Sequence, residues 1–460
     1  MIGHLSDTIC ALSTAKGKGA IAVIRVSGPH CFKIVDTIFA GAKKIDQMTH
    51  ASIARGDIVA ANKAVIDDVL IAKFANPNSF TGQDIIEICC HGGLYIVQEI
   101  LSLLLENGVR AAEPGEFTKR AFLNGKMDLL QAESIADVID AQTRTSLTFA
   151  HKQLSGVLSD TLLHVKEKLK MQLALLEVEL DFSDEDIEFA SRQEIKDNID
   201  SLIKEIAKLI DSFKYGKIAR EGVHLALAGK PNVGKSSVLN RLLQEERAIV
   251  SEIPGTTRDI IEEALDIQGL LFKISDTAGL RITESLIESK GIEKTKETLK
   301  KADLILFIMD ASEALDHLDV DALNMLELYE SANVFLVLNK IDIRGNKINA
   351  EFVQKFPYAS LISAKTGQGF ESFKTKLVDI NLHGMDTDSS AVLTRVRHRD
   401  ALQRCKEHIV HAQNSIEQNL SAEFIALDIR AALDALGEIT GEVTTDDILN
   451  DIFSKFCIGK

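Results

Sequence analysis

A glycine-rich loop between a short apolar run and an amphipathic run most constrains how this chain folds. Residues 224–228 read as a strand and residues 236–243 as a helix, with Gly-Lys-Pro-Asn-Val-Gly-Lys-Ser at 229–236 between them. A loop of this composition, leading from a strand into a helix, directs backbone N–H groups and the positive helix end at phosphates. The sequence therefore predicts a P-loop α/β domain, which we assign to residues 216–380.

Three further motifs follow in the order expected of a guanine-nucleotide site. Asp-Thr-Ala-Gly at 276–279 follows a second apolar strand, so its carboxylate can hold Mg²⁺ through water and its glycine amide can meet the γ-phosphate. Asn-Lys-Ile-Asp at 339–342 follows a third strand, and its last carboxylate can accept hydrogen bonds from guanine, whereas adenine offers no such donor pair. Ser-Ala-Lys at 363–365 can support the base edge. We therefore predict a Ras-like domain that binds GTP.

Individual roles follow from the positions within these motifs. Lys235 reaches the outer phosphate oxygens, and Ser236 binds Mg²⁺ together with Thr257, which matches the threonine that senses the γ-phosphate. The predicted nucleotide contacts are Asn232, Val233, Gly234, Lys235, Ser236, Ser237, Ser251, Glu252, Ile253, Pro254, Gly255, Thr256, Thr257, Asp276, Thr277, Ala278, Gly279, Asn339, Lys340, Asp342, Ser363, Ala364 and Lys365.

Leu280 directly follows the second motif, where many GTPases carry a glutamine that orients the attacking water. A leucine side chain can neither orient nor polarise water. Because phosphoryl transfer is catalysed mainly by positioning and electrostatics, hydrolysis here requires another positive charge and another polar group near the nucleophile.

Helical and α/β patterns flank the nucleotide domain. Residues 1–120 alternate strand-like runs with helix-like ones, such as 94–106, and predict an α/β domain. Residues 121–215 and 381–460 show helical periodicity, including an apolar stripe over 195–213. Amphipathic helices must bury their stripes, so we expect the two blocks to form one discontinuous helical domain into which the GTPase domain is inserted. The acidic run 181–188 is interpreted as a solvated connection, and Thr445 as the cap of the last helix.

Composition excludes several other classes of protein. No basic and apolar leader begins the chain, and no apolar run approaches the ~18 residues of a membrane span, so we expect a cytoplasmic protein with no membrane contact. The cysteines at 10, 31, 89, 90, 405 and 457 show neither metal-ligand spacing nor a disulfide framework. A net charge of -16 argues against nucleic-acid binding by bulk charge, so any RNA contact needs a local patch or a partner.

The ordered motifs Pro-Asn-Val-Gly-Lys-Ser, Gly-Thr-Thr-Arg-Asp and Asp-Thr-Ala-Gly-Leu-Arg resemble the potassium-dependent TrmE-Era-EngA-like GTPases. Over essentially all 460 residues, the chain is similar to the tRNA-modifying MnmE (TrmE) family within that group. Outside the GTPase domain the resemblance rests on Asp-Thr-Ile at 7–9, Gly-Ala-Ile-Ala-Val-Ile-Arg at 19–25, His-Gly-Gly at 91–93, Gly-Glu-Phe-Thr at 115–118, Arg-Ala-Phe-Leu-Asn-Gly-Lys at 120–126 and Cys-Ile-Gly-Lys at 457–460.

The resemblance implies a K⁺ ion where other GTPases receive an arginine finger. Its implied ligands are Asn232 and backbone carbonyls of Ser251, Ile253 and Thr256. Glu288 is the implied water-positioning residue and acts with Lys235 in catalysis, although a solvated charge is the alternative reading of Glu288. The family also implies that the G domains of two subunits meet to order the loop around K⁺.

The resemblance further implies a tetrahydrofolate-binding amino-terminal domain. Its implied contacts are Arg25, Glu87, Lys126 and, from the same or the neighbouring subunit, Lys460. Cationic side chains suit the anionic glutamate tail of folate, and the Glu87 carboxylate suits the N–H groups of the pterin. By sequence alone, however, a glutamate on a strand is as readily half-buried or solvated. The expected ligand is 5,10-methylenetetrahydrofolate, or 5-formyltetrahydrofolate as an analogue. Cys457 lies near this ligand in the family, either as a small buried thiol or as a nucleophile.

The family reaction adds an aminomethyl or carboxymethylaminomethyl group to C5 of the wobble uridine of certain tRNAs. Folate would supply the carbon, ammonium or glycine the nitrogen, and a flavoprotein partner, MnmG, the FAD and NADH redox steps. The implied assembly is a homodimer that joins MnmG in a heterotetramer or a larger complex. Two alternatives are a ribosome-assembly GTPase, for which no RNA-binding module or second GTPase domain is apparent, and a purely regulatory GTPase, which leaves the implied folate positions without a purpose.

Overall fold

The computed structural model describes residues 6–181, 192–245, 247–249, 262–275, 302–317, 319, 333–343, 350–354, 356, 358–382 and 391–460. The chain folds into two compact units. The first unit comprises Met1–Ala136, Leu154–Ser191 and Glu407–Lys460, and the second comprises Asp137–Gln153 and Arg192–Lys406. The predicted combination of α/β and helical parts is confirmed.

The described helices are α1 (Cys31–Ile38), α2 (Leu94–Glu106), α3 (Glu116–Leu123), α4 (Leu129–Asp140), α5 (Arg144–Leu154), α6 (Val157–Asp181), α7 (Arg192–Glu221), α8 (Lys235–Glu245), α9 (Ala350–Val353), α10 (Phe370–Leu382), α11 (Val396–Glu417), α12 (Ala422–Thr440) and α13 (Asp446–Ser454). Helix α2 has the predicted bounds. Within the described ranges, no helix combines the length and apolar character that a bilayer crossing requires.

A seven-stranded sheet forms the amino-terminal part of the first unit. Its strands are β1 (Ile9–Leu12), β2 (Ile21–Ser27), β3 (Phe39–Gly41), β4 (Ser52–Val59), β5 (Val65–Phe74), β6 (Ile85–His91) and β7 (Arg110–Ala111), in the order β3-β4-β5-β6-β2-β1-β7. In β2, Ala22, Ile24 and Val26 are buried, while the alternate Arg25 points to the other face and is opposite Glu87 of β6. The period-two pattern therefore brings both residues to one face of the sheet.

Helices from both ends of the predicted helical region pack together in the first unit. Helix α6 lies against α12. The ion pair Arg430–Glu177 joins the two helices, and Lys166 of α6 pairs with Glu442 just beyond the end of α12. One helix from each amphipathic block therefore packs against the other within this unit. The Thr445 hydroxyl accepts a hydrogen bond from the Ile448 amide, as predicted for the cap of α13.

A second seven-stranded sheet, in the second unit, is mostly parallel. Its strands are β8 (Val223–Ala228), β9 (Arg247–Ile249), β10 (Glu262–Ile267), β11 (Leu270–Ser275), β12 (Leu304–Asp310), β13 (Asn333–Asn339) and β14 (Ala359–Leu361), in the order β14-β13-β12-β8-β11-β10-β9. Strands β14, β13, β12, β8 and β11 run parallel, whereas β10 pairs antiparallel with β11 on one side and with β9 on the other. The loops after β8, β12 and β13 therefore emerge at one edge, where α/β sheets bind ligands.

Helix α7 buries the predicted apolar stripe through Ile195, Ile199, Leu202, Ile206, Leu209 and Phe213. At Gly216 of this helix an added Cβ would lie 2.1 Å from the carbonyl oxygen of Leu393. A glycine is therefore required for the segment around Leu393 to pass so close to the helix. The Leu393 amide also donates to the Ser212 hydroxyl at 3.1 Å, which secures this contact within the second unit.

Candidate functional site

The phosphate loop depends on backbone conformations and close approaches that favour glycine. Gly234 has φ +100°, and a Cβ at this residue would lie 2.3 Å from Nδ2 of Asn339. Gly229 has φ +140°, and its Cβ would lie 2.2 Å from the Ile308 carbonyl oxygen. Asn232 adopts φ +66° without being a glycine, at the loop tip, where its side chain is exposed.

Two lysines of the loop have different partners. Nζ of Lys235 donates to the carbonyl oxygens of Gly229 and Lys230, each at 2.7 Å, so this ammonium lies across the loop that would surround the phosphates. Nζ of Lys230 instead pairs with Asp316 at 2.8 Å and Asp319 at 2.7 Å. Burial lowers the pKa of Lys230, but the two carboxylates outweigh it and raise the pKa overall. Lys230 is thus held by two carboxylates, whereas the ammonium of Lys235 lies against carbonyl oxygens of the loop.

Helix α8 begins at Lys235, directly after the loop. Ser236 and Ser237 are exposed in its first turn. An exposed hydroxyl beside a helix N-terminus suits an Mg²⁺ ion that accompanies phosphates, because the ion keeps several waters and takes few protein ligands. The residues present therefore fit Mg²⁺.

Asn339 joins the phosphate loop to the predicted base-binding loop. Its Nδ2 donates to the Val233 carbonyl at 2.9 Å, and its Oδ1 accepts from the Ala364 amide at 3.0 Å. The residue is only 2% exposed, so both bonds are shielded from water. Its described contacts hold three loops together.

Asp342 carries the carboxylate that the sequence predicts for guanine. The side chain is exposed, and its Oδ1 accepts a hydrogen bond from the buried Ser363 hydroxyl at 2.6 Å. This bond orients the carboxylate, and among the residues that the structure describes, Oδ2 has no hydrogen-bond donor. The arrangement can present two acceptor sites to the adjacent N–H groups of a guanine base.

Lys340, between these two residues, adopts φ +68° and pairs with Asp310 through Nζ and Oδ2 at 2.6 Å. Burial alone would raise the pKa of Asp310, but hydrogen bonds from Lys340 and Ser312 lower it overall. The ionised carboxylate therefore positions the stem of Lys340 beside the predicted base site.

Arg241, which belongs to none of the nucleotide motifs, supports the predicted base-binding loop. From α8 its Nη1 donates to the carbonyl oxygens of Ala364 at 3.0 Å and Lys365 at 3.3 Å. Its guanidinium also lies 5.6 Å from the ring centroid of Phe370. A single arginine on an amphipathic helix resembles any solvent-facing cation, so no local pattern distinguishes it.

Several predicted residues lie outside the described part of the chain. They are Ser251, Glu252, Ile253, Pro254, Gly255, Thr256, Thr257, Asp276, Thr277, Ala278, Gly279, Leu280 and Glu288, together with most of the acidic run 181–188. The described nucleotide residues are therefore those of the phosphate loop, Asn-Lys-Ile-Asp and Ser-Ala-Lys.

In the first unit, two residues expected to contact folate pair with each other. Nε and Nη2 of Arg25 donate to Oε1 of Glu87 at 3.0 and 2.8 Å. The Arg25 guanidinium also lies over the rings of Phe80 and Phe117, at 5.2 and 5.6 Å from their centroids. Both charged side chains keep partial exposure, 18% and 25%, so this aromatic-lined pair remains open to a ligand.

Lys126 lies at the rim of the same region. Its exposed ammonium donates to the Pro77 carbonyl at 3.0 Å, and its stem passes beside Gly82. Phe80, which lies against Arg25, belongs to the same 77–82 segment. That segment therefore connects Lys126 with the Arg25–Glu87 pair.

The last four residues fold back onto the amino-terminal sheet and α3. The carbonyl of Lys460 accepts from the amide of Phe117 at 3.2 Å, and the carbonyl of Gly459 accepts from the Ser13 hydroxyl at 3.1 Å. Cys457 is exposed, so the interpretation of this residue as a small buried thiol is wrong. The carboxyl terminus of the same chain thus lies beside Phe117, one of the rings under Arg25.

A buried ion-pair network joins residues of three of the motifs quoted above, those at 7–9, 115–118 and 120–126. Arg120, only 2% exposed, contacts Asp7 at 2.6 Å and Glu116 at 2.8 Å. Glu116 also pairs with Arg110, and Gln83 accepts from Arg120 at 3.2 Å. The neutral amide of Gln83 thus satisfies one N–H group of the buried guanidinium. These motif residues join the start of β1 to α3 and so have a structural role.

Comparisons with known proteins cover 99% of the chain. The family described as "MnmE helical domain" matches residues 129–457, and the family "GTP-binding protein TrmE N-terminus" matches residues 8–126. The chain is 41% identical to the tRNA modification GTPase MnmE of Carboxydothermus hydrogenoformans and 43% identical to that of Clostridioides difficile. Each alignment covers 99% of this chain and 100% of the relative. Among solved structures, the G domain of the T. maritima FeoB iron transporter matches with 26% identity and a TM-score of 0.27, over 34% of this chain and 97% of that one.

Proposed function

The chain belongs to the MnmE family of tRNA modification GTPases, and from this premise we propose that it hydrolyses GTP to drive modification of C5 of the wobble uridine in certain tRNAs. The observation that carries the nucleotide part is the exposed Asp342 carboxylate, held by Ser363 and linked through Asn339 to the phosphate loop. The tRNA part rests on full-length similarity to curated members of the family.

In the proposed hydrolysis, residues of the phosphate loop neutralise charge. Lys235 would exchange its two carbonyl partners for the outer phosphate oxygens, and because its ammonium already lies at the loop, the side chain would need little reorganisation. Ser236 and Thr257 would hold Mg²⁺, which when bound screens the charge of the β- and γ-phosphates. Asn232 offers an exposed amide oxygen at the loop tip, a ligand type that suits K⁺.

The potassium assignment extends the family resemblance to this chain. We propose Ser251, Ile253 and Thr256 as the remaining K⁺ ligands and Glu288 as the residue that positions water in place of the glutamine replaced by Leu280. When bound, K⁺ supplies positive charge where the β/γ bridge gains charge. Hydrolysis would then depend on two G domains meeting.

The first unit is the proposed folate site. The Arg25 guanidinium over Phe80 and Phe117, paired with Glu87, offers stacking surface together with both signs of charge. Such a surface suits a pterin joined to an anionic tail, with Lys126 and Lys460 near its edge. Bound 5,10-methylenetetrahydrofolate, or 5-formyltetrahydrofolate as an analogue, would hold the one-carbon unit there.

The proposed assembly is a homodimer that works with the flavoprotein MnmG, whose FAD and NADH carry the redox steps. Ammonium or glycine would supply the nitrogen. Because the chain carries a net charge of -16, much of the tRNA surface would contact the partner. For function we propose a folate-binding domain at 1–120, a helical domain at 121–215 and 381–460, and an inserted GTPase domain at 216–380.

Mass spectrometry of wobble uridines tests this proposal. In tRNA from cells lacking this chain, the C5-aminomethyl derivatives should disappear, and a plasmid-borne copy should restore them. Restoration by an Asp342→Ala variant would argue against a role for guanine-nucleotide binding. Unchanged modification in the deletion strain would favour a ribosome-assembly or regulatory GTPase instead.

The potassium mechanism has a separate test in the purified protein. The GTPase rate should be higher in K⁺ than in Na⁺ at equal ionic strength, and Asn232→Ala should abolish the difference. Equal rates for the unmodified chain in the two salts would remove the potassium mechanism and leave the nucleotide assignment intact.

A further inference from the structure

Two histidines and an aspartate, none with a role in the proposed reaction, meet in the helical part of the first unit. His408 and His411 lie on α11, and Asp428 lies on α12. Residues three positions apart share one face of a helix, so both imidazoles face the same side of α11. One donor atom from each of the three side chains lies within 4.8 Å of the other two.

The donor set is chemically specific. Imidazole nitrogen and carboxylate oxygen are ligands of Zn²⁺ and of the neighbouring first-row divalent ions, whereas Mg²⁺ and Ca²⁺ prefer oxygen alone. In a tetrahedral shell with bonds of about 2.0–2.2 Å, donors stand roughly 3.3–3.6 Å apart. Small rotations of the three side chains would close the remaining distance.

The three groups are available to an ion. Within the described part of the chain, their side chains make no hydrogen bond or ion pair, and the two imidazole rings meet edge to face with centroids 6.4 Å apart. His408 and Asp428 are half-buried and His411 is exposed. An ion can therefore enter from solvent, while partial burial of two donors limits their freedom to turn away.

We propose that His408, His411 and Asp428 bind one divalent transition-metal ion, Zn²⁺ in particular, with water completing the coordination shell. The ion would tie α11 to α12, which are consecutive helices joined by residues 418–421. Because the donors come from two helices, binding favours the packed arrangement over the separated one. The signal in the sequence is the His-x-x-His spacing, but the third donor comes from a different helix.

Equilibrium dialysis of the full-length chain against Zn²⁺, without nucleotide or Mg²⁺, tests the proposal. His408→Gln, His411→Gln and Asp428→Asn should each weaken binding of one ion by at least about 10-fold, because losing even a second-shell partner costs about 10–100-fold. His164→Gln is the matched control, since His164 is an exposed histidine on α6 of the same unit and should leave binding unchanged.

Cobalt substitution distinguishes this site from the exposed thiol of Cys457. The expected Co²⁺ complex shows d–d absorption without a thiolate charge-transfer band, and the d–d absorption is lost in Asp428→Asn. Asp428→Asn conserves volume, so an unchanged urea midpoint would show that the loss comes from the ligand. Three outcomes would overturn the proposal. They are retention of one bound ion by all three variants, an equal loss of the ion in His164→Gln, and a thiolate charge-transfer band in the Co²⁺ complex.

Discussion

Replacing Arg241 by alanine should weaken guanine-nucleotide binding by disordering the loop that supports the base. The change removes the hydrogen bonds from Nη1 to the carbonyls of Ala364 at 3.0 Å and Lys365 at 3.3 Å. A hydrogen bond to a charged group contributes about 1.5–3 kcal/mol. Lys365 is exposed and water can replace its bond, whereas Ala364 is 8% exposed. We therefore expect a loss of about 1–2 kcal/mol, or roughly 5–30-fold in affinity.

Fluorescence titration with a methylanthraniloyl derivative of GDP measures this effect. Competition with unlabelled GDP and ADP should show that Arg241→Ala loses affinity for GDP and part of its preference over ADP, because Ser363 in the same loop orients Asp342. Arg241→Lys should recover part of the loss. The matched control is Arg430→Ala, which removes an exposed arginine paired with Glu177 in the first unit.

Two outcomes would refute this reasoning. One is GDP affinity within twofold of the unmodified chain in an Arg241→Ala protein with an unchanged urea midpoint, since the loop would then not depend on the arginine. The other is an equal loss in Arg430→Ala, which would indicate general destabilisation rather than a local effect.

Three further predictions concern the first unit. Arg120→Met should lower the free energy of unfolding in urea by about 3 kcal/mol, because it deprives the buried Glu116 of one of its two arginine partners. Burial raises the pKa values of Asp7 and Glu116, but their arginine partners lower both overall, below the ordinary 3.8 and 4.5. The stability that these ion pairs contribute is complete above about pH 4.5 and is lost as the pH falls through the lowered pKa values. The urea midpoint of Arg120→Met should therefore fall less steeply with acid than that of the unmodified chain. Gly459→Ala should speed carboxypeptidase digestion, because φ is +96° and the new Cβ would lie 2.2 Å from the Leu12 carbonyl oxygen.

Each of these predictions has a control and a contradicting result. Arg430→Met tests whether the loss of an exposed arginine also lowers the free energy of unfolding. A decrease equal to that of Arg120→Met would argue against a special role for the buried network. Parallel acid profiles of Arg120→Met and the unmodified chain would contradict the pKa argument. Gly125→Ala also changes a glycine of positive φ, +67°, but its Cβ would meet nothing within 4 Å. Equal digestion of Gly459→Ala and the unmodified chain would show that the terminus is not held by this contact.

Local patterns in the sequence predicted the elements that carry the nucleotide motifs. The strand before the phosphate loop is β8 and the helix after it is α8, because alternation and helical periodicity depend on neighbouring residues. The cap at Thr445 and the bounds of α2 were predictable for the same reason. The structure brings the loops after β8 and β13 to one edge, since parallel strands share their carboxyl ends.

By itself, the sequence determined the fold class, the order of the nucleotide motifs and the family, because these follow from periodicity and from side-chain types at short spacing. Only the tertiary structure decided that Arg241 donates to the carbonyl of Ala364, 123 positions later. The same is true of the pairing of Arg25 with Glu87 on the neighbouring strand and of the close approach of Gly459 to the Leu12 carbonyl. Such contacts depend on which strands become neighbours and on how closely backbones approach. Those are properties of the packed chain as a whole, and no short stretch of residues encodes them.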